Sequence, residues 1–358
     1  MNPPHDASPA SLSTLNTHSH HLRAGQSIFN QYYNIPPRLS DPSDPAQRMI
    51  SFALEKLWLQ PCVSAHEEAV WRTVLESQAS RFQYLDHSAA SLWALHQSFQ
   101  GTPSASALRA SAYRYNLEAS NLFRQSNQTV TEDNWLAVLA FGIAVIIFHL
   151  ANSQTNDDDS HDYMEAFNIL RGTSRMARAV IPYFHRSHLK LYVDNRQKFF
   201  RPSWDQDVWR RLDHLDAVIG VGGSRPDVTQ ACHSAVAVLK NWAKETDAYP
   251  RTWAHFLRWP GTVSEDFVKL LSEGNESALL VFVYWCTIMH RSPRRWFMKD
   301  WACRDVRLAT KAMDATWDCL LEWPRSVLGQ SHPTTTFPAL EVFDDGPRLD
   351  QRGLPNTP

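Results

Sequence analysis

The stretch 135-WLAVLAFGIAVIIFHLA-151 carries no charge, and His149 is its one strongly polar side chain. A membrane span needs about 20 predominantly apolar residues, with about 17 at the lower limit. This run reaches the limit only when its histidine is counted. Thr131, Glu132 and Asp133 precede it, a cap followed by carboxylates that suit the positive end of a helix dipole. No cluster of Lys or Arg flanks either end. The stretch therefore reads as a helix surrounded by other helices, and no membrane span is expected. A second run, 278-ALLVFVYWCTIM-289, has the same character. Two helices apolar on all faces predict an all-α protein with a central apolar layer. That layer either packs solid or leaves room for a lipid-sized guest.

Composition agrees with this class. The chain has 358 residues, long enough for a large core, and 43% of them are hydrophobic, which excludes disorder of the whole. Only 12 glycines against 14 tryptophans favour long helices over tight hairpins. A net charge of −2 gives no general attraction to nucleic acid or anionic lipid. Five widely spaced cysteines (Cys62, Cys232, Cys286, Cys303, Cys319) form neither a disulfide framework nor a zinc finger. A reducing, intracellular setting follows, in the nucleus or cytoplasm, and the first forty residues lack the apolar core of a signal peptide.

Three regions are expected. Residues 1–43, broken by prolines, read as a disordered arm, and order begins at the cap-and-proline pair Asp44-Pro45. Residues 44–325 read as one globular domain of about twelve helices. Residues 326–358, beyond Trp323-Pro324, read as a flexible tail. Within the domain, Leu108, Ala112, Tyr115, Ala119 and Leu122 make one apolar stripe, and Val306, Ala309, Met313, Trp317 and Leu320 another. Thr262 and Glu265 suggest a capping box, Gly274 a helix end, and 151–162 a polar, acidic loop.

Most chemical motifs read more simply as structure. Gly220, Gly222 and Gly223 in 219-IGVGGSRP-226 miss the dinucleotide fingerprint and follow a helical, not a strand, pattern. The 158-DDSHD-162 run fits the magnesium motif of class I terpene cyclases, but no second metal motif follows, so a solvated loop is the simpler reading. His185 and His188, and the 18-HSHH-21 run, lack further ligands, and no metal or cofactor is expected. Arg291, Arg294, Arg295 and Lys299 suit either an anion or a helix C-terminal dipole. His149, closing an apolar helix, reads as a hydrogen-bonded core residue, the polar contact of a pocket, or a general acid.

Several segments together resemble one family. In order, they are 87-HSAASLWALHQSF-99, 112-AYRYNLEASNLFRQS-126, 132-EDNWLAVLAFGIAVIIFHLA-151, 166-AFNILRGTSRM-176, the run from Leu270 to Met289, 294-RRWFMKDWA-302 and the helix ending 317-WDCLLEWP-324. They resemble the effector domain of fungal zinc-binuclear-cluster transcription regulators, in the sterol-uptake-regulator branch, over residues 45–325. The resemblance implies an all-α fold, a homodimer or pairing with a full-length regulator, and a cavity for a hydrophobic molecule (sterol, terpenoid or polyketide). Its walls would be Phe141, Val145, Phe148 and His149 on one helix, with Phe282, Trp285 and Met289 on the other. The family's DNA-binding cluster of six close cysteines has no counterpart, since Cys232 is the first cysteine after Cys62. Direct binding of nucleic acid is therefore not expected. Two functions remain in view. One is a regulatory module that senses an apolar metabolite. The other is a cofactor-independent cyclase, pericyclase or isomerase of secondary metabolism on the same scaffold, with His149 as its acid-base group.

Overall fold

A computed structural model describes residues 65–101, 103–126, 129–154, 162–191, 205–219, 225–293, 295–311 and 313–329. The arm 1–43, the helix start at Asp44-Pro45, most of the acidic loop, the glycine turn at 220–224 and the chain from 330 onward lie outside these residues. The described part is helical and contains no strand. Its helices are α1 (Ala65–Arg81), α2 (Gln83–Ser98), α3 (Ala105–Gln125), α4 (Trp135–Ser153), α5 (Tyr163–Arg186) and α6 (Gln206–Val218). They continue with α7 (Pro226–Thr246), α8 (Trp253–Thr262), α9 (Glu265–Ser272), α10 (Glu276–His290), α11 (Trp301–Thr310) and α12 (Asp318–Gly329), the last preceded by a 3-10 turn (Ala315–Trp317).

Short polar side chains start many of these helices by accepting from free backbone N–H groups. Asp162 accepts from Met164, Asp205 from Asp207 and Val208, Thr252 from His255, and Asn275 from Ala278. The capping box read at Thr262 and Glu265 is corrected. Thr262 ends α8, and Ser264, in extended conformation one residue before α9, caps it by accepting from Phe267 N. Gly274 does end α9, at φ 72°, a left-handed conformation that costs glycine little.

Two further expectations fail at the C-terminal end. The stripe from Val306 to Leu320 belongs to two helices with the 3-10 turn between them. The chain also does not leave helix at Pro324: α12 runs on to Gly329. A proline inside a helix deprives the carbonyl four residues earlier of its donor. That carbonyl is Leu320's, and the buried Tyr284 hydroxyl of α10 donates to it at 3.0 Å.

The segment Arg171–Ser174 on α5 organises the interior. A methyl on Gly142 of α4 would come within 2.9 Å of Thr173 Cγ2, and one on Gly261 of α8 within 1.9 Å of Ser174 Oγ and 2.6 Å of Ser174 Cβ. Both glycines are thus required by close approach to α5. Next to them Arg171, 8% exposed, donates from Nη1 to the carbonyls of Pro260 (2.6 Å) and Val263 (2.8 Å), satisfying the C-terminus of α8. Its Nη2 pairs with Glu265 at 2.8 Å, and Arg175 meets the same carboxylate at 2.7 Å.

Around α5 the helices form layers. The α2–α3 hairpin covers α4, which packs on α5; α8 packs on the other side of α5, and α10 is held between α7, α11 and α12. The two apolar helices therefore meet through α5 and α11 rather than as adjacent rods. The N-terminal half of α4 fills two smaller clusters, around Trp135 and Phe141, while Ile146, Ile147, Phe148, Leu150 and Ala151 join the large core containing all of α10's apolar residues. By length and composition α4 is the one described helix that meets the requirement for crossing a membrane, and 72% of its most apolar window is buried inside the protein.

Candidate ligand-binding core

Every residue of α10 from Ser277 to Met289 is buried. No apolar stripe distinguishes one side of the helix from another, so its neighbours must supply apolar contacts all round. On one side lie Phe167 of α5 and Trp259 of α8, and on another Trp301 of α11. The Trp285 ring is stacked on Trp259 (centroids 5.1 Å apart, planes at 24°), is met edge-on by Trp301 at 5.6 Å and Phe167 at 6.0 Å, and lies 5.7 Å from Phe282. Such offset and edge-to-face geometries are those aromatic quadrupoles favour.

The seven residues assigned to a pocket wall divide into separate groups. Phe282, Trp285 and Met289 belong to this central core, as does Phe148, whose ring meets Tyr113 of α3 edge-on at 5.3 Å. Phe141 belongs to an outer cluster, stacked on Phe123 at 4.2 Å and meeting Tyr84 edge-on. Val145 is half-buried against that same cluster. His149 turns outward: its side chain is 23% exposed and its Nδ1 lies 2.8 Å from Glu165 Oε1 on α5. The structure thus brings four of the seven into one core and leaves Phe141, Val145 and His149 apart.

The polar content of the central core is small. Trp242 and Trp259 donate their indole N–H groups to the carbonyls of His255 (2.7 Å) and Ala235 (3.2 Å). The indole N–H groups of Trp285 and Trp301, side chains 0% and 1% exposed, have no acceptor among the described residues. One turn beyond Trp301 on α11 lies Asp305, fully buried. Burial first, and then the Asp305 charge, push the Cys286 thiol well above its ordinary range, so the carboxylate acts close to the neighbour of Trp285 in the chain. A buried thiol held protonated in this way is not an active nucleophile.

Links at the ends of α4 and α11 fix this corner. Gln154 donates to the Trp296 carbonyl at 3.3 Å and accepts from Asp300 N at 3.2 Å, and Arg304 donates to the Ser153 carbonyl. Among the described residues no group of three His, Cys, Asp or Glu side chains is placed to hold a metal. His185 ends α5 exposed to solvent. Arg291 follows α10 and pairs with Asp205 at 2.6 Å, so it serves an ion pair as well as the helix end. A cleft lined by Asp205, Trp209, Lys244, Asp247 and Ala248, about 10 Å³ in volume, is water-sized and includes none of the seven wall residues.

Sequence reasoning missed Trp259, Trp301, Phe167 and Asp305. The spacing of Trp301 and Asp305 by four residues was the available signal, since it places an aromatic donor and a carboxylate on one helix face. Compared with known proteins, the chain matches no family model, no curated protein and no solved structure.

Proposed function

We propose that this chain is an intracellular regulatory module that senses an apolar small molecule, in the manner of an effector domain. The single observation that carries this reading is the pair of acceptor-less indole donors at Trp285 and Trp301, enclosed by aromatic side chains. Buried polar groups without partners are rare and cost about 1–3 kcal/mol each. The two rings touch, and an oxygen-bearing, otherwise greasy molecule that reached either N–H would give it a partner. The surrounding rings belong to four helices, α5, α8, α10 and α11. A guest that separates α10 from α11 would alter the ties at Gln154 and Arg304, and so carry a signal to the surface. Readers of that signal would be a second copy of the chain or a full-length regulator.

Native mass spectrometry of the protein taken from its own cells tests the reading. A retained sterol, terpenoid or polyketide is expected. Bare chain alone, with unchanged transcripts after deletion of the gene, would refute it.

A second reading is favoured by the His149–Glu165 contact. A carboxylate holding Nδ1 fixes the imidazole and leaves Nε2 for proton transfer, the arrangement of an acid-base catalyst. This would suit a cofactor-independent cyclase, pericyclase or isomerase acting on a terpenoid or polyketide. Conversion of such an intermediate by the purified protein, lost in His149→Ala, would establish it.

A further inference from the structure

We infer that the outward face of α3 pairs with the same face of a second copy of the chain, antiparallel, with Arg114 of each copy against Glu118 of the other. The inference rests on the regulatory reading above, in which a second copy reads the state of the core. The resemblance named no face for such pairing; the residues of α3 supply one.

Helix α3 is thinly held. It lies in extended contact with α2 alone, and just two of its 21 residues, Ala112 and Ala119, are buried. The stripe through Leu108, Ala112 and Ala119 faces inward, and a second stripe looks out. Its members Ala107, Ala110, Arg114, Leu117 and Glu118 are all exposed. Their steps of three and four residues set them along one face. Leu117, in mid-helix, is 59% exposed. Burying such a side chain against a partner removes apolar area from water, which favours pairing.

The charges on this face decide the partner. Arg114 and Glu118 stand one turn apart, and neither makes an ion pair among the described residues. The Arg114 guanidinium lies over the Tyr115 ring, 5.5 Å from its centroid, which leaves its charge unneutralised. Opposite charges one turn apart complement themselves under one symmetry. A two-fold axis perpendicular to the helix, level with Asn116, sets each Arg114 level with the second copy's Glu118, because both lie equally far from that point. Parallel helices would face like charge against like. The same axis brings the two Leu117 side chains within about 3 Å of each other along the helix direction, close enough to pack. It also sets the small Ala107 level with the second copy's long Gln125. Behind the face, Tyr113 meets Phe148 edge-on and accepts from Asn152, both on α4. Pairing through α3 therefore bears on the helix that enters the core.

Sedimentation equilibrium of the full chain, up to about 100 μM, tests the inference, because a single helix pair makes an interface of the small, transient class. A monomer–dimer equilibrium is expected. Arg114→Glu and Glu118→Arg should each weaken it about thirtyfold, since two symmetry-related pairs turn from attraction to repulsion. An equimolar mixture of the two variants should form a heterodimer as tight as the wild-type dimer, and the double variant should pair with itself again. Leu117→Ala should weaken pairing about tenfold. All three residues are exposed, and an unchanged urea midpoint verifies the fold of each variant. A chain that stays monomeric at every concentration overturns the inference and leaves the face to a different protein. Dimers that survive both single reversals, or variants that fail to pair when mixed, also overturn it. Any of these results leaves the sensing function standing, because native mass spectrometry finds a retained guest on monomer and dimer alike.

Discussion

Helices α4 and α10 look alike as sequences and behave differently as structures. α10 is enclosed on every side, with each residue from Ser277 to Met289 buried and tryptophans from α8 and α11 against it. α4 is longer and just as apolar, yet its outer side is only half-buried beneath the α2–α3 hairpin, and His149, one turn before its end, faces outward. An all-apolar sequence therefore reports that a helix is surrounded, and not how completely. Completeness is set by the neighbours: α10 has aromatic side chains from α5, α8 and α11, while α4 is served mainly by α2 and α5.

Truncation should expose the difference. Trp285→Ala removes one of the four large indole rings fully buried in the centre and is expected to cost about 4 kcal/mol, against about 3 for Phe141→Ala on α4, measured by urea denaturation. Equal losses would erase the distinction between enclosed and covering helix. The glycines that set the depth of α5 give the next comparison. Gly261→Ala should cost about 3 kcal/mol, because Ser174 is met at both its oxygen and its Cβ. Gly142→Ala should cost about 1, because only a methyl of Thr173 must yield. Ser174→Gly should restore most of the first loss and none of the second.

A smaller effect is expected where α10 supports α12. Tyr284→Phe should cost about 1 kcal/mol by leaving the Leu320 carbonyl without a donor. In a Pro324→Ala background that carbonyl regains its helical N–H, and the same substitution should cost less. A constant cost in both backgrounds would show that the hydroxyl's contribution does not depend on the carbonyl stranded by Pro324.

The smallest effect concerns the polar side of α6 and α7. Burial raises the Asp216 carboxyl, but hydrogen bonds from Lys240 (2.7 Å) and His233 (2.7 Å) outweigh this, and the group titrates below the ordinary carboxylate range. A carboxyl with a lower pKa folded than unfolded stabilises fully above the unfolded value near 4, and that stability is lost as pH falls through the folded value. Asp216→Asn should therefore lower the urea midpoint slightly at pH 7 and flatten its decline below about pH 4. An unchanged decline would assign acid sensitivity elsewhere.

The helical class, the burial of both apolar runs, the stripe through Ala112 and Ala119, and the stop at Gly274 were legible because they follow from local rules: periodicity, charge and a left-handed residue. The exceptions have non-local causes. Ser264 caps α9 in place of Thr262 because α8 continues to Thr262, held from α5 by Arg171. Helix α12 passes through Pro324 because a side chain 40 positions earlier, Tyr284, serves the stranded carbonyl. The candidate site was half visible. Phe148, Phe282, Trp285 and Met289 could be placed in the core from hydropathy, but Phe141, Val145 and His149 share their helix with Phe148 without sharing its surroundings. Trp301 and Asp305, which bring donor and charge to Trp285, stand on a short helix whose sequence, 301-WACRDVRLAT-310, looks unremarkable until α11 is laid along α10.

Native-state hydrogen exchange, resolved by residue, tests the difference between the two apolar helices most directly. The account predicts that amides between Leu280 and Ile288 exchange only through global unfolding, with a free energy equal to that from urea denaturation, while amides of α4 around His149 open at lower cost. Exchange of α10 amides as readily as those near His149 would contradict it.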